Sequence, residues 1–283
     1  MIQRLITLAP MTALLIFGAT GNAFAGGRSE PWQMGFQPAG SPVMERIIEF
    51  HNLVLVIEVS IVALVLGLMC YIIVRFNAKA NPVPSKTTHN TLLEVVWTVV
   101  PLLILIVVAV PSLKLLYYSD RVENTEMTLK VTGNQWFWSY TYPDHGGFEF
   151  DSVIVPDDEL KAGQPRLLTV DNEVVLPAET NIRLLFTSAD VIHNWGVPSL
   201  GLKLDTVAGR ISETWVRINK KGNYYGMCSE LCGVNHGFMP IHIKAVSKAD
   251  FAQWVETAKK EFARTSGPAP VRVAKAGARD RDD

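Results

Sequence analysis

"LVLVIEVSIVALVLGLMCYIIV", residues 53–74, decides the first half of the fold. It is 22 residues long and carries a single charge, Glu58, near its start. At about 1.5 Å per residue a helix of this length spans about 33 Å, enough to cross a bilayer core of roughly 30 Å. A second apolar run, residues 95–113, has no charge and contains Pro101 and Pro111. A soluble chain would need two long helices apolar on every face, which is uncommon at this size. Both runs therefore read as membrane spans. The connection between them carries Arg75, Lys79 and Lys86 and no acid before Glu94, which places it in the cytoplasm. The spans form an antiparallel hairpin, and everything after Tyr118 returns to the outer side.

Working outward, residues 1–25 read as a secretory signal. Arg4 precedes an apolar stretch, and Ala23-Phe24-Ala25 suits a small-residue cleavage site. Cleavage would leave both mature termini outside. The net charge of −1 offers no basic stripe for nucleic acid.

Beyond the spans the pattern changes to short strands. "TLKVTGNQWFWSYTY" alternates, but Leu129 and Val131 are odd-numbered, whereas Trp136, Trp138, Tyr140 and Tyr142 are even. A bulge or turn near Gly133 explains the slip, because one extra residue exchanges the faces. "SVIV", "RLLTV", "EVVL", "NIRLLFT", "SETWVRI", "GNYYGM" and "MPIHIKAV" follow, separated by Asp, Asn, Gly and Pro. That spacing predicts an all-β sandwich or barrel over residues 119–265. Ser247 caps a closing amphipathic helix with Phe251, Trp254, Val255, Ala258 and Phe262 on one face. Residues 266–283 are rich in Pro, Ala, Gly and charge and read as a flexible tail.

Within the sandwich, "CSELCGVNHGFM", residues 228–239, crowds two thiols, an imidazole and a thioether. Cys70 lies in the first span and reads as a packing residue. A disulfide between Cys228 and Cys232 would leave His236 and Met239 unexplained. Thioether is a poor zinc ligand, whereas thiolate, imidazole and thioether together select copper. A mononuclear blue-copper site needs one thiolate, and here there are two. Two thiolates can bridge two coppers, each needing its own imidazole. His193, in a turn-rich segment between strands, is the best second histidine. His51, His89, His145 and His242 read as surface or core residues.

The loop resembles the C-x-E-x-C-x3-H-x2-M signature of subunit II of haem-copper cytochrome c oxidase. The hairpin, "GNQWFWSYTY", "VDNEVVLPAE", "DVIHNWGVPSLGLKLDTVAGR" and "YYGMCSELCG" extend the resemblance over most of the chain. It implies a membrane-anchored, cupredoxin-like domain with a binuclear CuA centre, in a bacterial inner membrane with the domain in the periplasm. Cys228 and Cys232 would bridge the coppers, His193 and His236 would bind one each, and Met239 and the Glu230 carbonyl would be axial ligands. The Glu230 side chain would help hold a magnesium ion shared with subunit I. Trp136 would be where electrons enter from cytochrome c, docked through acids such as Asp171 and Asp190. Glu94 would mark the mouth of a proton pathway. The implied activity is electron delivery to haem in subunit I, for oxygen reduction coupled to proton pumping. Asn134, Phe137 and Met227 stand where the family commonly has His, Tyr and Gln.

Three rivals fit less well. A nitrous-oxide-reducing enzyme adds a large propeller, a quinol-oxidase counterpart lacks the copper ligands, and copper-delivery proteins lack the second histidine at this spacing. No C-x-x-C-H motif follows the domain, so a fused cytochrome is not expected.

Overall fold

Two long helices carry the apolar runs in the computed structural model, which describes residues 27–121 and 124–262. α1 (Pro42–Arg75) has 34 residues and α2 (Thr91–Asp120) has 30, both longer than the apolar runs alone. Ser41 caps α1 by accepting from the Met44 amide at 3.0 Å, and its hydroxyl also donates to the Leu200 carbonyl at 2.7 Å. The cap thus ties the helix start to the outer domain. Asn90 caps α2 through the Leu93 amide at 3.1 Å. Half-buried Ile104, Val108, Pro111, Leu115 and Tyr118 recur at helical spacing along the seam where α2 meets α1. The extra turns of both helices rise to the outer domain. The Arg46 guanidinium lies 3.3 Å from the Tyr118 ring centre, and the Tyr118 carbonyl accepts from Trp215 Nε1 at 3.3 Å.

The segment before α1 lies on the same side. The Gly27 carbonyl accepts from the Tyr225 amide at 3.0 Å, and Gly40 bonds Ser199 and Asn219. Both flanks of the hairpin therefore meet one domain, as an antiparallel pair requires. The expected signal segment, residues 1–25, and the expected tail, residues 266–283, lie outside the described residues.

The domain is two facing five-stranded sheets. One has the order β3-β2-β1-β5-β8, from β1 (Met127–Asn134), β2 (Phe137–Tyr142), β3 (Phe148–Ser152), β5 (Asn181–Ser188) and β8 (Ser212–Arg217). The other has the order β4-β10-β9-β6-β7, from β4 (Val174–Pro177), β6 (His193–Val197), β7 (Leu202–Thr206), β9 (Gly222–Cys228) and β10 (Pro240–Val246). Pairing is antiparallel except for β1 with β5 and β10 with β4.

The parity slip is a two-residue turn. Asn134 pairs with Phe137 around Gln135 and Trp136, whose shared peptide is cis. Odd positions of β1 and even positions of β2 then face the same core. Trp138, Tyr140 and Tyr142 are fully buried, each contributing roughly 2–3 kcal/mol of apolar burial. Their polar tips are satisfied: Trp138 Nε1 donates to the Met239 carbonyl, Tyr140 accepts from Trp195 Nε1, and Tyr142 donates to the Val175 carbonyl. α3 (Lys248–Glu261), capped by Ser247, lays Phe251 and Trp254 against Tyr142.

Three strand expectations need correction. "SVIV" and "RLLTV" meet only in the single bridge Ile154–Val170, because Asp171 takes the Val153 amide instead of a strand neighbour. "FEFDS" is β3, paired along the whole of its length with β2. The segment around His193 is not a turn but two strands, β6 and β7, which its glycines and prolines disguised.

Candidate metal centre

The loop of residues 228–239 is the connection of a hairpin. Pro240 pairs with Met227 and the Cys228 amide donates to the Met239 carbonyl, so the loop starts and ends at one place. On the other side of β9, Trp195 pairs with Cys228. That register carries β6 two residues past the end of β9 and sets its first residue, His193, beside the loop. Gly133 makes the approach possible: a Cβ there would stand 2.7 Å from the His193 ring.

Ligand atoms of His193, Cys228 and Cys232 all lie within 4.8 Å of one another, and all three residues are buried. The sulfurs are 3.9 Å apart, far beyond the roughly 2.05 Å of a disulfide. The separation is shorter than two metal–thiolate bonds of about 2.3 Å, so one ion can touch both. His236 Nδ1 lies 3.6 Å and Met239 Sδ 3.5 Å from the Cys232 sulfur. The Glu230 carbonyl is 3.3 Å from the Cys228 sulfur, while its side chain is at the surface.

His193 provides the test of fit. Its Nε2 is 2.8 Å from Asp190 Oδ1, and its buried Nδ1 has no hydrogen-bond partner among the described residues. A buried imidazole oriented by a carboxylate, with its other nitrogen unpaired among thiols, is the arrangement of a metal ligand. Electrostatics agree. Burial opposes ionisation of Cys228, but the neighbouring His193 and the backbone of Asn194 and Glu230 bring its thiol down to about 7. Burial and then the charge of Cys228 push Cys232 up to about 12. Burial also opposes protonation of His193, and Cys228 and Asp190 outweigh it and raise its pKa. Without metal the cluster keeps protons that a cation would displace.

The remaining expected residues fall in several places. Trp136 is half-buried at the hairpin turn, and its Nε1 donates to the Cys232 carbonyl at 3.1 Å. Asp190 sits at the centre rather than only on its rim. Its Oδ2 accepts from the Gln135 amide at 2.7 Å, and bonds from His193, Gln135 and Val191 hold the carboxyl below the usual range despite burial. Asp171 lies elsewhere, accepting from the Val153 and Asn172 amides. Glu94 is half-buried in the first turn of α2, at the other end of the molecule. His51, His89, His145 and His242 stay away from the cluster; His242, for example, stacks on Tyr225 at 4.5 Å. Asn134 donates to Ser139, which bonds Asp151, so this departure feeds a polar chain. Met227 is half-buried where Cys228 is buried, on the alternate face of β9.

Two features were not legible in the sequence. Gln135 clamps the loop, its Nε2 donating to the Cys232 carbonyl at 2.8 Å. Leu231, Val234 and Phe238 are exposed in the loop, with Val191 and Ile192 beside His193. Exposed apolar side chains grouped on one loop are candidates for contact with a partner.

Comparison with known proteins places this centre in a family. The sequence model described as cytochrome c oxidase subunit II, periplasmic domain, matches residues 127–246, and that of the transmembrane domain matches residues 29–115. A probable cytochrome c oxidase subunit 2 of Rickettsia felis is 52% identical over 238 residues, covering 84% of this chain and 76% of that protein. The chain belongs to the cytochrome c oxidase subunit II family. The cytochrome c oxidase subunit 2 of Oenothera berteroana is 47% identical over 233 residues, covering 80% of this chain and 90% of that protein. The crystal structure of the periplasmic domain of subunit II from Bradyrhizobium japonicum is 53% identical, covers 50% of this chain and 99% of that one, and gives a TM-score of 0.48. As a subunit II, the chain is a membrane-anchored, periplasmic β-sandwich whose His, Cys and Cys cluster fits a CuA copper centre.

Proposed function

We propose that His193, Cys228, Cys232, His236, Met239 and the Glu230 carbonyl hold a binuclear copper centre, and that Trp136 is where electrons enter it. The chain is the electron-transfer subunit of a terminal oxidase, taking electrons from cytochrome c for haem in subunit I. Oxygen reduction and proton pumping belong to that assembly. When bound, a copper pair supplies a one-electron carrier whose charge is spread over two metals and two thiolates.

The chain's own residues do the rest. Asp190 fixes the His193 ring and leaves its Nδ1 facing the thiols. Gln135 and Trp136 both donate to the Cys232 carbonyl, holding the loop rigid, so that little has to move when charge changes. The Trp136 indole thereby joins the surface to a ligand residue through one hydrogen bond. The exposed Glu230 side chain is the proposed magnesium ligand at the boundary with subunit I. Glu94, on the cytoplasmic flank of α2, is the proposed proton-path mouth. Asp171 and Asp190 are the proposed docking acids. We place the chain in a bacterial inner membrane with both mature termini periplasmic.

The unpartnered His193 Nδ1, beside two thiols that form no disulfide, carries this reading. The full chain in detergent, loaded with copper, should bind about two coppers and show one unpaired electron shared by both, as two bridging thiolates require. A single copper per chain, or an isolated-copper signal, would overturn it.

A further inference from the structure

Glu58 is not used by any part of this mechanism. It lies five residues inside the apolar run of α1, about 7–8 Å along the helix from the start of that run. The contact of Arg46 with Tyr118 fixes the level of the two helices. Twelve residues below Arg46, α1 has reached Glu58, about 18 Å deeper, and antiparallel α2 has reached Ile106. Around that level, residues 102–110 are only Leu, Ile, Val and Ala. Lys114 stands about 12 Å higher, beyond the reach of either side chain. Among the described residues Glu58 has no hydrogen bond and no ion pair, and it is exposed on the hairpin.

An unpaired carboxylate in hydrocarbon is unfavourable, and its short stem cannot snorkel to water as Lys or Arg does. Half-buried Ile47, Phe50, Val54 and Ile57 mark the face of α1 turned toward α2. Glu58, the next residue after Ile57, is turned about 100° from it and borders the seam. A third helix nesting beside the hairpin would meet it there. Subunit II works inside an assembly of membrane subunits, so such a helix is available.

We propose that Glu58 is one half of an intramembrane ion pair with a basic side chain on a transmembrane helix of another oxidase subunit. The pair anchors the hairpin in the complex and sets its register. Charge complementarity selects the occupant, because the carboxylate is the only charge in this run and its own partner helix offers none at that level.

A carbodiimide that modifies accessible carboxyls within membranes tests this. Peptide mass spectrometry should find Glu58 modified in the single chain in detergent and protected in the assembled oxidase. Equal modification in both would mean a lipid-facing acid and would overturn the pair. Glu58→Gln and Glu58→Lys extend the test, with circular dichroism showing that each variant chain folds. The amount of subunit II kept per haem after detergent washing should fall in the order wild type, Gln, Lys, with Lys down roughly tenfold or more, since two like charges facing each other inside the membrane are strongly unfavourable. Full retention of the Lys variant would overturn the proposal. So would a Gln variant that stays bound but slows proton uptake, which would assign Glu58 to a proton path instead.

Discussion

Single hydrogen bonds decide what Asp190 and Trp136 can do. Sequence resemblance offers Asp190 as a docking acid, yet its oxygens are committed to His193 and to the Gln135 amide. Replacing a carboxylate that orients a metal-bound imidazole weakens metal binding by about 10–100-fold. Asp190→Asn should therefore lower copper affinity by that order and shift the visible spectrum, measured by competition with a chelator. A variant with unchanged copper affinity and only slower reaction with cytochrome c would make Asp190 a docking acid alone. Trp136 is the opposite case. It touches the site through the Cys232 carbonyl but stays half-exposed, and the rings at Trp138, Tyr140 and Tyr142 carry the core. Trp136→Phe should leave the copper spectrum intact and slow reduction by cytochrome c at least tenfold, read by stopped flow. Loss of the spectrum would show that the indole is packing rather than path. Protonation adds a third test at this scale. Copper must displace protons from Cys228, near 7, and from Cys232, near 12, so loading should weaken as pH falls through the neutral range, more steeply below about 7, and should release protons to unbuffered solvent.

At the scale of elements, the site is a junction between two hairpins, and its precision depends on how closely their backbones approach. Gly226 on β9 faces Gly196 on β6, where an added Cβ would stand 2.0 Å from the Gly196 carbonyl. Gly226→Ala must push the strands apart at the register that pairs Cys228 with Trp195 and so brings His193 to the loop. Such overpacking costs about 3 kcal/mol, a fall in melting temperature of several degrees, together with weakened copper binding. A variant that melts normally would show that the strands have slack. The same junction explains what could be read in advance. The spans are continuous apolar runs, the hairpin order follows from the basic connection, and the alternation of β1 and β2 is periodic, so each was visible in the residues themselves. The ligand loop was visible because its donors are crowded into twelve positions. His193 could be chosen from the sequence, but its place at the head of a strand could not. Gly196, Pro198 and Gly201 read as turn residues, whereas Gly196 is a glycine for close packing. Gln135 gave no signal either, since its side chain acts on a residue 97 positions away.

For the whole molecule, the question is how a partner finds a centre that is buried. Eight outer-domain acids, Asp144, Asp151, Asp157, Asp158, Glu159, Asp171, Asp190 and Asp205, are candidates for a steering patch. Most have local work: Asp144 accepts from the Thr128 amide, Asp157 pairs with Arg166, and Asp205 accepts from Asn194. A hydrogen bond does not remove a surface charge, so the carboxylates bonded to neutral groups still contribute to a long-range field. Asp157 contributes less, because Arg166 neutralises it. The apolar collar of Leu231, Val234 and Phe238 has no such reach and acts only at contact. Steering and contact therefore separate by their response to salt. Between low salt and about 0.15 M the screening length shrinks to about 8 Å, so the association rate with a basic cytochrome c should fall steeply. Leu231→Ser should change the dissociation rate and leave that salt slope unaltered, because it removes apolar area and no charge. Asp158→Asn, at an acid for which no hydrogen bond is seen, should do the reverse and reduce the slope. An association rate that ignores salt would place recognition wholly in the collar, and the acids would then serve only the loops that they hold.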